Sequence, residues 1–367
     1  MPIKRRQTRD LGVNIVRADF SADYVPMRKQ PMDFSNAENP WGHARRVEKA
    51  IRKNFLLVSH YPERGHDALI EALAKHHDLP TDCIFVGNGA TGCIQNVVMA
   101  FVRNGDHVAL PELSFPLPVF AATAMGGGGL KVPMHGDFRI DFGALRRSVN
   151  KRTGLVFLCN PNNPTGLFEK PDVILDFAKR VKVPVLVSEA SIEFAGASLF
   201  KSFPAWPDNL IVVRTFSKAH GLAGLRIGFG AAKPELVRKI MRFQLPFAVS
   251  RLSGIAAIAA LNETRHVRDS AATMRKEREF LCRKLADMGF DVLPPESNLL
   301  LAKLPSCVAS TKNFISGLER ARITVLNGAA FSSLLRRHIR ISPRTRVLNK
   351  AFVAAIAKLL KKRNEPD

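Results

Sequence analysis

"TFSKAHGLAGLRIG", residues 215–228, sets one lysine, Lys218, among hydroxyls and small apolar residues and places Arg226 eight positions later. On either side lie LIVVRTF (210–216) and RIGFGAA (226–232), β-branched and small apolar runs of the kind that form buried strands. A lysine between two such runs is carried to the end of a sheet. Burial and the like charge of Arg226 would both disfavour its ammonium form and leave a nucleophilic amine. Taken alone, the stretch also fits a lysine that lays its stem along the surface and keeps its head in water.

Working outward, similar runs recur at CIFVG (83–87), HVALP (107–111), GLVFLCN (154–160) and PVLVSE (184–189). Between them lie helical patterns with apolar residues at spacings of three and four, HDALIEALAKHH, ATGCIQNVVMAFVRN and KPDVILDFAKRV. Such alternation predicts an α/β architecture with a mainly parallel sheet covered on both faces. From about residue 270 the pattern changes to a long charged helix (ATMRKEREFLCRKLADMG), two short strands (NLLLAKL and HIRISP) and a closing helix (NKAFVAAIAKLLKKR), a smaller α+β domain. The run GGGG (126–129) lacks the Lys-Ser/Thr of a phosphate loop and is read as a flexible turn between a helix and a strand.

Ligands of a parallel sheet gather at the carboxyl ends of its strands. GNGAT (87–91) follows one strand and opens a helix, so Gly89, Ala90 and Thr91 offer backbone N–H groups and a hydroxyl to an anion. NPNNPTG (160–166) follows another; its prolines and asparagines predict an irregular loop that aims amides at a ligand. VPVLVSEASIEF (183–194) ends a third strand on Ser188, Glu189 and Ser191.

With 46% hydrophobic and 24% charged residues in 367, the chain reads as a soluble globular protein of two domains. No apolar stretch reaches the roughly 18 residues that span a bilayer. The opening MPIKRRQTRD is not an apolar signal region, so a cytoplasmic location is expected. Five cysteines without a CxxC pair argue against a disulfide framework or a zinc site and are expected as buried thiols, with no metal. The net charge of +23 is spread, with local density at 4–6, 146–152, 336–346 and 358–363, and aromatic residues are not interleaved. Specific nucleic-acid binding is therefore not expected.

NPNNPTG, SEASIEF and TFSKAHGLAGLRIGF, in this order and spacing, resemble the fold type I pyridoxal-phosphate enzymes of the class I/II aminotransferase family. The nearest branches are those of histidinol-phosphate aminotransferase and threonine-phosphate decarboxylase. DFSNAENPWG (33–42) and HYPE (60–63) add to the likeness, which runs from about residue 30 to the end. It implies the aspartate aminotransferase-like fold, with a mainly parallel seven-stranded sheet in a large domain (51–265). A small carboxyl-terminal domain (266–367) would pack with the amino-terminal segment (1–50), and a homodimer would form composite sites. By the same resemblance Lys218 forms the Schiff base with pyridoxal 5'-phosphate and then moves the proton on the substrate's α-carbon. Gly89, Ala90, Thr91, Thr215, Ser217 and Arg226 would hold the cofactor's phosphate, with Tyr61 reaching in from the partner subunit. Asn163 would bond its phenolic oxygen, Arg340 would clamp a substrate carboxylate, and Asn39 and Trp41 would border the substrate.

The chain also departs from the family. Where relatives read Asp-Glu-Ala-Tyr, with the aspartate on the ring nitrogen and the tyrosine on the phenolic oxygen, it has Ser188 and Ser191. In PELSFP (111–116), Pro116 takes the place of the stacking aromatic, and Phe115 stands next to it. A serine gives only a neutral hydrogen bond, worth about 1 kcal/mol net, where a close ion pair supplies more. The expected function is thus a pyridoxal-phosphate aminotransferase of the histidinol-phosphate type acting on an amino acid or phosphorylated amine. The alternatives are a decarboxylase or an elimination or replacement enzyme and, in another class, a non-catalytic polyanion-binding homologue.

Overall fold

The computed structural model describes residues 14–16 and 32–361. The basic residues 4–6 and 362–363, and much of the 1–50 segment, lie outside the described residues.

The six strands read from the sequence and one more, Gly128–Val132, form one sheet, in spatial order Gly128–Val132, His107–Pro111, Thr153–Cys159, Val185–Ser188, Leu210–Thr215, Ile227–Ala232 and Ile84–Asn88. Neighbours from Gly128–Val132 to Leu210–Thr215 are parallel, and Ile227–Ala232 runs antiparallel to both of its neighbours. A short strand, Asn14–Val16, adds to the Gly128–Val132 edge in antiparallel fashion. The apolar runs are unbroken because both faces are buried. Val156, Leu158, Val185, Val187 and Val212 enter one core, while Leu155, Phe157, Leu186, Ile211 and Val213 enter the other. Each such side chain contributes about 1.5–3 kcal/mol relative to exposure.

The reading of 126–129 as a turn is corrected in its second half. Gly126 turns with φ 79°, but Gly128 already begins a strand. A Cβ on Gly129 would lie 2.6 Å from Val119 Cγ2, so glycine lets helix Leu117–Ala124 lie directly on that strand. The cysteine expectation also needs correction: Cys307 is exposed and Cys282 half-buried, while Cys83, Cys93 and Cys159 are buried.

The carboxyl-terminal part carries a four-stranded antiparallel sheet, Asp291–Val292, Leu300–Lys303, His338–Ile341 and Leu326–Asn327 in spatial order. NLLLAKL and HIRISP are its two central strands, and Leu301 pairs with Arg340. Helix Arg346–Lys361 and the long helix Thr264–Ala286, which begins eight residues before the stretch read from the sequence, cover it. The amino-terminal segment joins this part: Met32–Asp33 pairs with Ile323–Thr324, and Phe34 stacks on Phe352 with ring centroids 4.5 Å apart. Phe34 then shares a core with Leu300, Ile339, Ile341 and Phe314.

Candidate active site

A cavity of about 400 Å³ opens where the carboxyl ends of the parallel strands meet the 36–38 segment and the smaller sheet. Its size falls within the roughly 300–1,000 Å³ of small-molecule sites. Lys218, Ala90, Thr91, Asn163, Thr215, Ser217 and Arg226 line it together with Ser188, Ser191, Phe115 and Arg340.

One wall is an anion cradle. Helix Gly89–Phe101 starts directly after strand Ile84–Asn88, so its first N–H groups face outward at the positive end of the helix dipole. Gly89 has φ 72°, and a Cβ there would lie 2.8 Å from Arg226 Nη2. Gly228 permits the approach from below, since its Cβ would meet Ala90 N at 2.4 Å. The Thr215 hydroxyl donates to Ser217 Oγ at 2.9 Å and accepts from Ser217 N–H at 3.1 Å. Arg226 adopts a left-handed conformation, φ 49° and ψ 56°, and donates to the Ala223 carbonyl at 2.7 Å. A non-glycine residue held there costs about 1–2 kcal/mol, strain that is retained where a side chain must be aimed. Helix N–H groups, two hydroxyls and a guanidinium around a notch that a methyl group would fill are a donor set suited to a phosphate monoester. The residues present therefore fit the phosphate of a pyridoxal-type cofactor.

Lys218, next to Ser217 of the cradle, lines the same cavity. Burial first, then the like charge of Arg340 and, less, that of Arg226, pull its ammonium down to about 8, against the opposing pull of Glu38 and Cys159. The direction is that expected from the sequence, but the larger like charge is Arg340 and not the Arg226 singled out there.

Arg340 enters from strand His338–Ile341. Its Nη1 donates to Asn163 Oδ1 at 2.9 Å, its Nη2 donates to the Ser35 carbonyl, and its guanidinium carbon lies 5.5 Å from the Phe331 ring centroid. Of the asparagines in NPNNPTG, Asn163 alone lines the cavity. Asn160 is spent on both backbone groups of Glu169, and Asn162 donates to the Leu113 carbonyl and to Thr165. The expectation that the whole loop aims amides at a ligand is corrected accordingly: two asparagines build the loop and the third faces the cavity.

Ser188 ends its strand opposite Cys159, and Ser191 donates to Asn298 Oδ1 at 2.9 Å. Glu189, between them, does not supply a carboxylate to the cavity. It accepts from Ser198 Oγ at 2.6 Å and Leu199 N–H at 2.7 Å, and burial pushes it up to about 7. Among the described residues, Glu38 is the single carboxylate lining the cavity.

Four expected residues are not brought into the lining, the first being Gly89, which stands behind it against Arg226. Asn39 Nδ2 donates to the Ala219 carbonyl at 2.9 Å and to Ser270 Oγ at 3.1 Å, bracing the turn after Lys218. Trp41 packs against the cluster of Phe194, Ala219 and Met274. Tyr61 is 80% exposed and packs on Phe247, away from the cavity of its own chain. Also in the wall, and not anticipated from the sequence, are Asn36, Ala37, Glu38, Cys159, Ser297 and Leu299 among others. The first three sit in the quoted DFSNAENPWG, whose side-chain directions depend on the 323–324 strand it pairs with.

Residues 30–356 match the family model for aminotransferase class I and II. A histidinol-phosphate aminotransferase 2 from Carboxydothermus hydrogenoformans is 34% identical over 89% of this chain and 90% of its own length. The histidinol-phosphate aminotransferase of Sinorhizobium meliloti, solved in complex with pyridoxal-5'-phosphate, superposes with a TM-score of 0.85 at 26% identity, covering 91% of this chain and 92% of that one. The L-threonine-O-3-phosphate decarboxylase of Porphyromonas gingivalis shares the fold, with a TM-score of 0.78 at 23% identity over 90% of this chain and 99% of that one.

Proposed function

The chain belongs to the aminotransferase class I and II family, and from that premise we propose a pyridoxal-phosphate-dependent aminotransferase of the histidinol-phosphate type that acts on an amino acid or phosphorylated amine. The observation that carries this reading is one buried lysine, drawn toward its free amine, lining the same cavity as a phosphate-sized cradle.

The cofactor, when bound, supplies an aldehyde that captures amines and a ring that accepts the electron pair of a bond broken at the substrate's α-carbon. The protein's residues do the rest. Gly89, Ala90, Thr91, Thr215, Ser217 and Arg226 hold the phosphate, joined by Tyr61 of a second copy of the chain. Asn163, its oxygen engaged by Arg340, keeps its N–H donors for the phenolic oxygen. Phe115 supplies an apolar face to the ring, and Ser188 gives the ring nitrogen a neutral hydrogen bond. Ser191, which would face the phenolic oxygen, is tied to Asn298. Arg340 clamps a substrate carboxylate, and Asn39 and Trp41 support the turn that carries Lys218. Lys218 would present its neutral Nζ to the cofactor's aldehyde and, with substrate bound, would hold and return the proton of the substrate's α-carbon.

The same reading assigns 51–265 to a large domain and 266–367, with the 1–50 segment, to a small one. It also has the protein act in the cytoplasm as a homodimer. Exposed Phe55, Leu56, Val58, Tyr61, Leu245 and Phe247 supply the apolar surface that a second copy would cover. Among the described residues no helix is long and apolar enough to cross a membrane.

A second reading, decarboxylation or elimination or replacement, is favoured by Ser188 and by Glu189 turning away from the cavity. The two separate in one experiment. The purified holoenzyme is offered a panel of 15N-labelled amino donors, histidinol phosphate and aromatic amino acids among them, with 2-oxoacid acceptors. Label arriving in a new amino acid supports transamination. Ammonia or carbon dioxide without that transfer overturns it in favour of the second reading.

A further inference from the structure

On the far side of the Lys218 loop lies a second pair of cavities. An inner compartment of about 190 Å³ adjoins an outer groove of about 810 Å³, and the two share His76, His77, Glu193, Arg214, Val267 and Arg268. The inner compartment collects an unusual set of buried polar atoms without hydrogen-bond partners: Arg214 Nε, Glu193 Oε2, His77 Nε2 and His220 Nδ1. Buried polar atoms are almost always satisfied, so the three that can donate, Arg214 Nε, His77 Nε2 and His220 Nδ1, call for an acceptor, while Glu193 Oε2 accepts only and is left to a donor such as water. The site is built rather than incidental. Arg214 Nη2 donates to Glu193 Oε1 at 2.6 Å, with the two side chains 13% and 7% exposed, and its guanidinium lies 5.4 Å from the Phe200 ring centroid.

The chemistry of the walls selects the occupant's sign. Arg214, Arg268, Arg275, Lys276 and Lys201 face the groove, opposed by Glu193 and Glu279. The imidazoles add donors without charge: burial, and then the field of Arg214, hold His77 and His220 down to about 3, so both are neutral at pH 7. A neutral imidazole offers one N–H, and the Arg214 Nε–H stands beside them. Donors of this kind, with cations at the mouth, favour oxygen bearing negative charge.

We propose that this cavity binds a small oxyanion, a phosphoryl or carboxylate group, on Arg214, His77 and His220, with Arg268 and Arg275 at its entrance. The site stands back to back with the cofactor cavity. Arg214 precedes Thr215 on one strand, His220 follows Lys218 by two residues, and Glu193 follows Ser191 by two. Each of these three segments thus turns one side chain to the cofactor cavity and a near neighbour to the oxyanion cavity. The proposal stands on these contacts alone and does not depend on which reaction the enzyme catalyses.

The test uses holoenzyme labelled with 15N in its histidine rings, titrated separately with inorganic phosphate, succinate and sodium chloride at matched ionic strength. Phosphate or succinate is expected to shift the ring resonances of His77 and His220 saturably, with a midpoint of low millimolar or below. Whichever of the two saturates identifies the source of the oxyanion. The double variant Arg268→Ala/Arg275→Ala, both exposed positions on helix Thr264–Ala286, is expected to weaken that midpoint at least tenfold and leave the other histidine signals in place. Resonances that move no further than with chloride mean that water alone fills the cavity, and the proposal is overturned. Saturable shifts indifferent to the double variant place the anion elsewhere and overturn it equally.

Discussion

Replacing Lys218 by methionine in the cofactor-free protein separates the electrostatic burden of the buried amine from its chemistry. Folding lowers the lysine from 10.5 to about 8. Between those values the unfolded chain binds one proton more than the folded one, so the lysine's contribution to stability rises with pH across that window and is fully unfavourable below it. At about 1.4 kcal/mol per pH unit, the burden at neutral pH is about 3 kcal/mol, an upper value because the amine borders the cavity and its solvent. Methionine carries no such burden. In urea unfolding, Lys218→Met is expected to exceed the parent protein in stability at pH 7 by an amount that shrinks progressively from pH 8 to 10.5. Any constant offset belongs to packing; the pH-dependent part belongs to the amine. A difference that stays flat over this range would refute the low-pKa lysine. The same value leaves about one amine in ten neutral at pH 7, against about one in three thousand for an exposed lysine.

Gly89→Ala is expected to weaken cofactor affinity about tenfold or more, measured by fluorescence titration, because the new methyl group must share space with Arg226 at an unfavourable φ. Ser188→Asp should increase transamination turnover about tenfold or more, since a close ion pair at the ring nitrogen exceeds a neutral hydrogen bond by upward of 1.4 kcal/mol; steady-state kcat with the preferred donor reads this out, and an unchanged kcat removes the electronic argument. Arg340→Ala is expected to raise KM for carboxylate-bearing donors by tenfold or more with a smaller change for amines that lack a carboxylate. Phe247→Asp puts a charge in the apolar patch around Tyr61 and is expected to break the proposed dimer, read by light scattering as a fall to the mass of one chain.

The parallel sheet was legible because strands buried on both faces must be apolar at every position, and the runs at 107–111, 154–160 and 210–216 were located to within a residue or so. Strand Gly128–Val132 was hidden by its glycines, which serve the close packing of a helix and carry no β signal of their own. Lys218 and its cradle could be read because their residues are close in sequence to strand ends. The 36–38 wall, Ser297 and Leu299 could not, because their directions depend on long-range pairing between the amino-terminal segment and the smaller sheet. The two arginine-facing cavities had no signature of their own: their walls come mainly from residues 76–77, 192–201, 214–220 and 264–279, and the readable signal of 192–194 and 214–220 belongs to the Lys218 cavity on their other side.

Thr215 pairs with Gly228 across one antiparallel ladder, so the hydroxyls and Arg226 proposed to hold the phosphate are bolted to a single hairpin, whereas Arg340 arrives from a separate sheet. On the proposed assignment, retention of the coenzyme and choice of amine would be entrusted to different pieces of architecture. Substitutions on the smaller sheet can redirect the enzyme toward new donors without loosening its hold on the coenzyme, which is a route by which one scaffold diversifies.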